Sequence, residues 1–192
     1  MSPAETLLNK RILLLNNWLY FNFEVPGEAS AQVNAISDAL RAFDSISNQP
    51  IKLIISSLGG SLLGAFALYD AIKSVDSPVW TFGHLCGSGA ALILAAGDKG
   101  HRYVYPNCFT MLHQPQIITS TTAGEDVSLR EIRTKEFVRK KNTLVGLLIE
   151  SGVKKTPKQV RKDIDREFWL DAKETVEYGL ADKVIRGGLL LE

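Results

Sequence analysis

Ser88 stands between two glycines in Cys86-Gly87-Ser88-Gly89-Ala90, and His113 follows 25 residues later in Met111-Leu112-His113-Gln114-Pro115. A hydroxyl and an imidazole are the parts from which a serine nucleophile and its general base are built, provided the fold brings them within hydrogen-bond reach. A glycine pair, Gly59-Gly60, lies in Ser56-Ser57-Leu58-Gly59-Gly60-Ser61 between an expected strand and helix. Such a pair permits unusual dihedrals and leaves backbone N–H groups at a helix N-terminus, where they bind anions or a developing oxyanion. Each piece has a plainer reading when taken alone. Gly59-Gly60 is then an ordinary tight turn, Ser88 an N-cap, His113 a packed strand residue, and the carboxylates of Asp163 to Glu167 surface charge.

The other two histidines offer less. His101, between Gly100 and Arg102, reads as an exposed turn residue, and His84 as a packed strand residue near the glycine-rich turn. His113 ends an apolar strand and is followed by Gln114-Pro115, which makes it the better candidate base.

The elements that must position these groups alternate as in an α/β protein. Short strands are expected at Arg11 to Leu15 and Trp18 to Phe23. A helix opens at Pro26-Gly27-Glu28 and carries Val33, Ile36, Leu40 and Phe43 on one stripe. Ile51 to Ile55 is an almost continuous apolar run, as in a strand covered on both faces. A helix through Leu62 to Ile72, a strand from Val79 to Leu85 and an apolar helix from Ala90 to Ala96 follow, with Gly97 as its C′ residue. Arg102 to Tyr105 and Phe109 to His113 are read as two strands separated by Pro106-Asn107-Cys108.

A helical pattern from about Glu125 to Ser151 is the longest in the chain. It would span about 40 Å, whereas a compact domain of this length has a radius of gyration of about 16 Å. That helix should project, and its apolar positions should meet another subunit. Thr156-Pro157-Lys158-Gln159 and Asp171-Ala172-Lys173-Glu174 are capping-box starts. The last helix ends at Gly179, and Ala181 to Ile185 closes as a strand.

Composition narrows the classes. The 192 residues, 45% hydrophobic, fit a single domain spanning 1–192. A net charge of +1 gives no electrostatic reason to expect nucleic acid or an anionic membrane as partner. Cys86 and Cys108 make no disulfide framework and no metal-type spacing, which favours a reducing, cytoplasmic setting. No segment has the roughly 18 apolar residues of a membrane span, and Met1 to Lys10 is not a signal peptide.

Together these pieces fall into a known order. The chain resembles the proteolytic subunit of the Clp (caseinolytic) protease, ClpP. The matching pieces are Ile55-Ser56-Ser57-Leu58-Gly59-Gly60, Ser88 with Ala95-Ala96-Gly97-Asp98-Lys99-Gly100, Pro106-Asn107, Met111 to Pro115, Asp165 to Leu170, and Glu177 to Asp182. The match runs from Leu7 to Ile185. It implies a ClpP/crotonase-like α/β fold of repeated β-β-α units with a projecting handle at about 116–151. It further implies Ser88 as nucleophile, His113 as general base, and the N–H groups of Gly60 and Gly89 as oxyanion hole. No metal or cofactor is implied.

The family's catalytic aspartate aligns with Glu167, so either Glu167 orients His113 or Asp163 or Asp165 substitutes. Around the nucleophile the family's Ala-Ala-Ser-Met-Gly is here Cys86-Gly87-Ser88-Gly89-Ala90. A one-residue shift would put Gly87 at the nucleophile position, but the unbroken match from Ser88 to His113 would then need a compensating gap. After Pro115 the family's Gly-Gly is replaced by Gln116-Ile117-Ile118. Only about ten residues precede the first strand, fewer than in the family's pore loops, which leaves docking to a hexameric AAA+ unfoldase open.

The expected function is that of a serine endopeptidase, cutting short or unfolded polypeptides inside a ring-shaped homo-oligomer of two stacked heptamers. The alternatives are an inactive, ClpR-like ring subunit and a crotonase-type acyl-CoA enzyme. Size-exclusion with light scattering at micromolar concentration should give a mass well above one chain; a monomer would refute the subunit-facing handle.

Overall fold

The computed structural model describes residues 2–19, 32–116 and 126–186. Its elements run α1 (Pro3–Asn9), β1 (Ile12–Leu15), α2 (Gln32–Ile46), β2 (Ile51–Ser57), α3 (Leu62–Lys73), β3 (Val79–Gly87) and α4 (Gly89–Ala96). They continue with β4 (Arg102–Leu112), α5 (Val127–Glu150), α6 (Pro157–Asp163), β5 (Phe168–Leu170), α7 (Ala172–Tyr178) and β6 (Lys183–Val184). One mixed sheet has the order β1-β2-β3-β4-β5. The first four strands are parallel, β5 joins β4 antiparallel, and β6 pairs with the start of β4 in parallel. The mixed α/β class and its parallel-rich sheet agree with the expected fold.

Periodicity explains the two faces. On β2, Ile51, Leu53 and Ile55 are fully buried in the main core beside α2, α3 and α4. Ile54 faces the other side, where it packs with Phe82, Trp80, Tyr103, Tyr105 and Ile185. Thus one face of β2 is fully buried, while the other carries Lys52, Ile54 and Ser56 and is covered only in part. All eight residues of α4 are buried, as its apolar composition around the whole circumference requires.

The helix starts obey local rules. Thr156 with Gln159 and Asp171 with Glu174 form complete capping boxes, and Gly179 ends α7 in the left-handed conformation. A third box, Ser2 with Glu5 and Pro3 at the first position, starts α1. That helix was not expected from the sequence, although its Ser-Pro-Ala-Glu start carries the same signal.

Five sequence readings need correction. Arg102 to Leu112 is one strand, not two. Its pairing with β3 jumps from Gly83↔Val104 to Leu85↔Phe109, so Tyr105 to Cys108 form a bulge opposite His84, with Pro106 and Asn107 exposed and Cys108 buried, and Pro106 sits where no ladder donor is needed. Gly97 has a φ of −56° and is not left-handed; glycine is needed there because a Cβ would lie 2.5 Å from Thr81 Oγ1. His101 is no exposed turn residue: it is half-buried and stacks on Trp80 with ring centroids 4.5 Å apart. The closing strand shrinks to Lys183–Val184, while His84 is exposed and stacks on Tyr105. Of the expected strand Trp18 to Phe23, only Trp18 and Leu19 are described, Leu19 in a single bridge to Gly60. The helix start at Pro26-Gly27-Glu28 and the Ile117-Ile118 segment lie outside the described residues.

Helix α5 behaves as its length demanded. Its 24 residues measure about 36 Å. Only Leu144, Val145 and Leu148 near its end are buried, whereas Val127, Ile132 and Val138 are exposed.

One charged hub joins the elements behind the site. Arg102, 4% exposed at its side chain, meets Asp182 at 2.6 Å and donates also to the carbonyls of Ser151 and Gly179. Asp182 in turn accepts from the N–H groups of Gly100 and Arg102. Burial pushes the Asp182 carboxyl upward, but its hydrogen bonds with Arg102 outweigh this and hold it below the usual range. Removing one partner leaves a buried guanidinium unpaired. Asp182→Ala should therefore cost about 3 kcal/mol, read as an earlier urea midpoint; an unchanged midpoint would refute the hub.

Candidate active site

The end of β3 and the start of α4 make the first half of the site. Ser88 has φ 52° and ψ −121°, a region that non-glycine residues rarely occupy without support from their surroundings. Support comes from both sides of the turn. The Ser88 N–H donates to the Met111 carbonyl at 2.7 Å. Gly59 packs so closely beneath the turn that a Cβ there would lie 2.6 Å from Gly87 O and 2.8 Å from Ser88 Cβ.

Ser88 occupies the N-cap position of α4, yet its hydroxyl makes no capping bond. It meets His113 Nε2 at 2.8 Å instead. The plain N-cap reading of Ser88 therefore fails on geometry. His113 lies just past the end of β4, half-buried. Burial lowers its pKa below the ordinary imidazole value, and the charge of Glu167 opposes this in part. The imidazole is thus held neutral at neutral pH, the state in which it accepts a proton.

The three candidate carboxylates separate clearly. Asp163 accepts a hydrogen bond from the Tyr178 hydroxyl at 2.9 Å, and burial together with that bond pushes the phenol strongly upward. Asp165 is exposed and takes the Gln114 amide and Arg166. Glu167 precedes β5, whose ladder with β4 ends at Leu112↔Phe168, one residue before His113, and its charge acts on the imidazole. Among the described residues no hydrogen bond joins the imidazole to a carboxylate. Glu167 Oε2 accepts from the Trp169 indole N–H at 3.0 Å.

The glycine pair completes the picture. Gly59 N–H donates to Ser57 Oγ, Gly59 O accepts from Leu19 N–H, and Ser61 N–H donates to Leu19 O. Gly60 N–H takes part in none of these bonds. Gly89 is the first residue of α4, so its N–H has no intrahelical acceptor. Gly59 and Gly89 are in contact, since a Cβ on Gly59 would lie 2.8 Å from Gly89 N. The Gly59-Gly60 and Gly87-Ser88-Gly89 turns therefore share one surface.

Sequence reasoning did not single out Met111, Gln114, Lys141 or Trp169. Gln114 donates to Asp165 and accepts from Lys141 Nζ at 2.8 Å, linking the chain after His113 to α5. Only Trp169 left a legible signal, two residues from Glu167 and thus on the same strand face. Cys86 and Cys108 are buried free thiols behind the turn, and burial raises the Cys86 pKa well above its usual value. Among the described residues no group of three or more His, Cys, Asp or Glu could hold a metal, and no helix is long and apolar enough to cross a membrane.

Comparison with known proteins gives the family. A family model described as Clp protease matches residues 5–188. The chain is 35% identical over 190 residues to the ATP-dependent Clp protease proteolytic subunit 1 of Rhodopirellula baltica, covering 97% of this chain and 77% of that protein. It is 41% identical over 141 residues to the ATP-dependent Clp protease proteolytic subunit 3 of a Synechococcus species, covering 72% and 68%. With the proteolytic subunit 1 of Corynebacterium jeikeium it shares 34% over 186 residues, covering 96% and 92%.

The contact between the turns is directly testable. Gly59→Ala would add a Cβ against backbone atoms at a φ of 96°, and should cost at least about 2 kcal/mol. Its melting temperature should fall and Ser88 should lose reactivity toward a fluorophosphonate. A variant with unchanged melting and labelling would show that the close contact is dispensable.

Proposed function

The chain belongs to the Clp protease family, and we propose that it is a catalytically competent serine peptidase subunit rather than an inactive ring component. The observation that carries this reading is the 2.8 Å contact of Ser88 Oγ with His113 Nε2, made by a serine on a strained turn whose hydroxyl ignores the helix it precedes. A degraded site would have no need to maintain that strain. The same pairing counts against a crotonase-type acyl-CoA role, which requires neither a serine nucleophile nor its base.

In the proposed reaction Ser88 Oγ attacks a peptide carbonyl while His113 Nε2 takes the hydroxyl proton. The developing oxyanion is met by the N–H groups of Gly60 and Gly89, which need no reorganisation because the two turns are already packed together. His113 then protonates the leaving amine, and water releases the acyl group by the reverse sequence. Glu167, just beyond the end of the ladder, holds the imidazole tautomer and stabilises its cation. Asp163 and Asp165 are engaged elsewhere and act as structural carboxylates.

The exposed apolar positions of α5 fit contact with further subunits, in keeping with assembly into two stacked rings that enclose the sites. Substrates would then be short or unfolded polypeptides, delivered by an AAA+ unfoldase in the cytoplasm.

Ser88→Ala should reduce peptide hydrolysis by on the order of 10³-fold or more, with the assembled mass unchanged. Equal turnover would remove Ser88 from the mechanism. A fluorophosphonate adduct should map to Ser88, and a correctly assembled but unlabelled protein would point to the inactive ring subunit.

The pH dependence follows from the sign of the His113 shift. A lowered pKa keeps the base neutral to lower pH, so the acid limb of kcat/KM should inflect below the usual imidazole value of about 6.5. Glu167→Gln removes a charge that raises this pKa, so the limb should move further down while the plateau rate falls. A limb that moves up would contradict the assigned roles.

A further inference from the structure

We infer that Trp169 is a positioning residue for the Ser88–His113 pair, its indole N–H holding the Glu167 carboxylate opposite the imidazole. The inference rests on the catalytic reading above and adds to it a fourth side chain.

The observation is a geometric alignment along two strands. In β5 and the residue before it, Glu167 and Trp169 alternate with Phe168, so they project on one face of the strand. Trp169 lies opposite Met111, and one residue beyond the end of the ladder on each chain stand Glu167 and His113. Met111 and His113 both touch Ser88: Met111 through its carbonyl to the Ser88 N–H, and His113 through Nε2 to Oγ. One strand face therefore lines up behind the nucleophile. The contact that closes it is Trp169 Nε1–H to Glu167 Oε2 at 3.0 Å.

The need for such a contact comes from the carboxylate itself. Glu167 is exposed and has one more rotatable bond than an aspartate, so an untethered side chain would spend much of its time in water. The indole fixes one of the two carboxylate oxygens, Oε2. Trp169 suits this task because its ring has only two rotatable bonds and carries a donor but no acceptor. Its position also accounts for a large aromatic side chain that is 48% exposed although its strand is paired. The charge of Glu167 already acts on His113, opposing the effect of burial, so holding that charge in place changes the base directly.

The test uses the assembled full-length chain and a fluorophosphonate probe, with the acylation rate of Ser88 followed as a function of pH. Trp169 is replaced by Phe, and separately by the benzothienyl isostere, which keeps the ring volume and lacks the N–H donor. Both replacements should slow acylation roughly tenfold, the loss expected for one hydrogen bond to a charged group. Both should also move the acid limb to lower pH, because Glu167 is then held less firmly beside the imidazole. In a Glu167→Gln background neither replacement should change the rate or the limb further.

An isostere variant with wild-type rate and profile would overturn the inference. So would a loss of equal size with and without Glu167→Gln, since that would mark Trp169 as a packing residue acting independently of the carboxylate. If the unsubstituted protein itself fails to label, the catalytic reading of Ser88 falls first and this inference with it.

Discussion

The close approach of two turns made almost entirely of backbone is the constraint on which the rest of the site depends. Gly59 fits beneath Gly87-Ser88-Gly89 only because it has no side chain; a Cβ would lie within 3 Å of three atoms of that turn. Ser88 is thereby held at a positive φ, with its N–H anchored on Met111 and its hydroxyl turned from the helix toward His113. Strain of this kind is kept only where neighbours over-determine the conformation. Here the neighbours are β2 and β4, the strands on either side of β3.

Those strands owe their fixed relation to a core that buries one sheet face fully and the other in part. Helix α4, wholly buried, forces the turn before it to a single depth, and the Arg102–Asp182 hub holds the far end of β4 against α5 and α7. His113 sits where this rigid frame meets the exposed approach of Glu167. Its protonation state follows from that border position: burial pushes toward the neutral form and Glu167 pulls the other way.

Much of the architecture was legible because local rules and tertiary packing agree. The capping boxes at Thr156 and Asp171, the left-handed Gly179 and the long helix with a solvated middle all appear where their signals stood. Disagreements arose where a nonlocal contact overrode a local signal. Pro106-Asn107 looked like a strand break, yet the bulge keeps β4 continuous because the ladder to β3 resumes at Phe109. Gly97 had the look of a left-handed cap, but it is a glycine because Thr81 leaves no room for a side chain. His101 between Gly100 and Arg102 looked exposed, and only the arrival of Trp80 from the neighbouring strand covers it.

By itself the sequence determined the α/β class and the two glycine turns, and it set out Ser88, His113 and the three carboxylates Asp163, Asp165 and Glu167 as candidates for chemistry. Those properties are encoded in residue type and short spacing, which periodicity and turn chemistry express locally. The differences among the surroundings of Asp163, Asp165 and Glu167 emerge only in three dimensions. They depend on the antiparallel register of β5 on β4 and on the Tyr178 hydroxyl already claiming Asp163. Register couples residues more than fifty positions apart, and a one-residue slip would turn Glu167 to the opposite face. No local signal carries that information; it comes from the packing of the whole sheet.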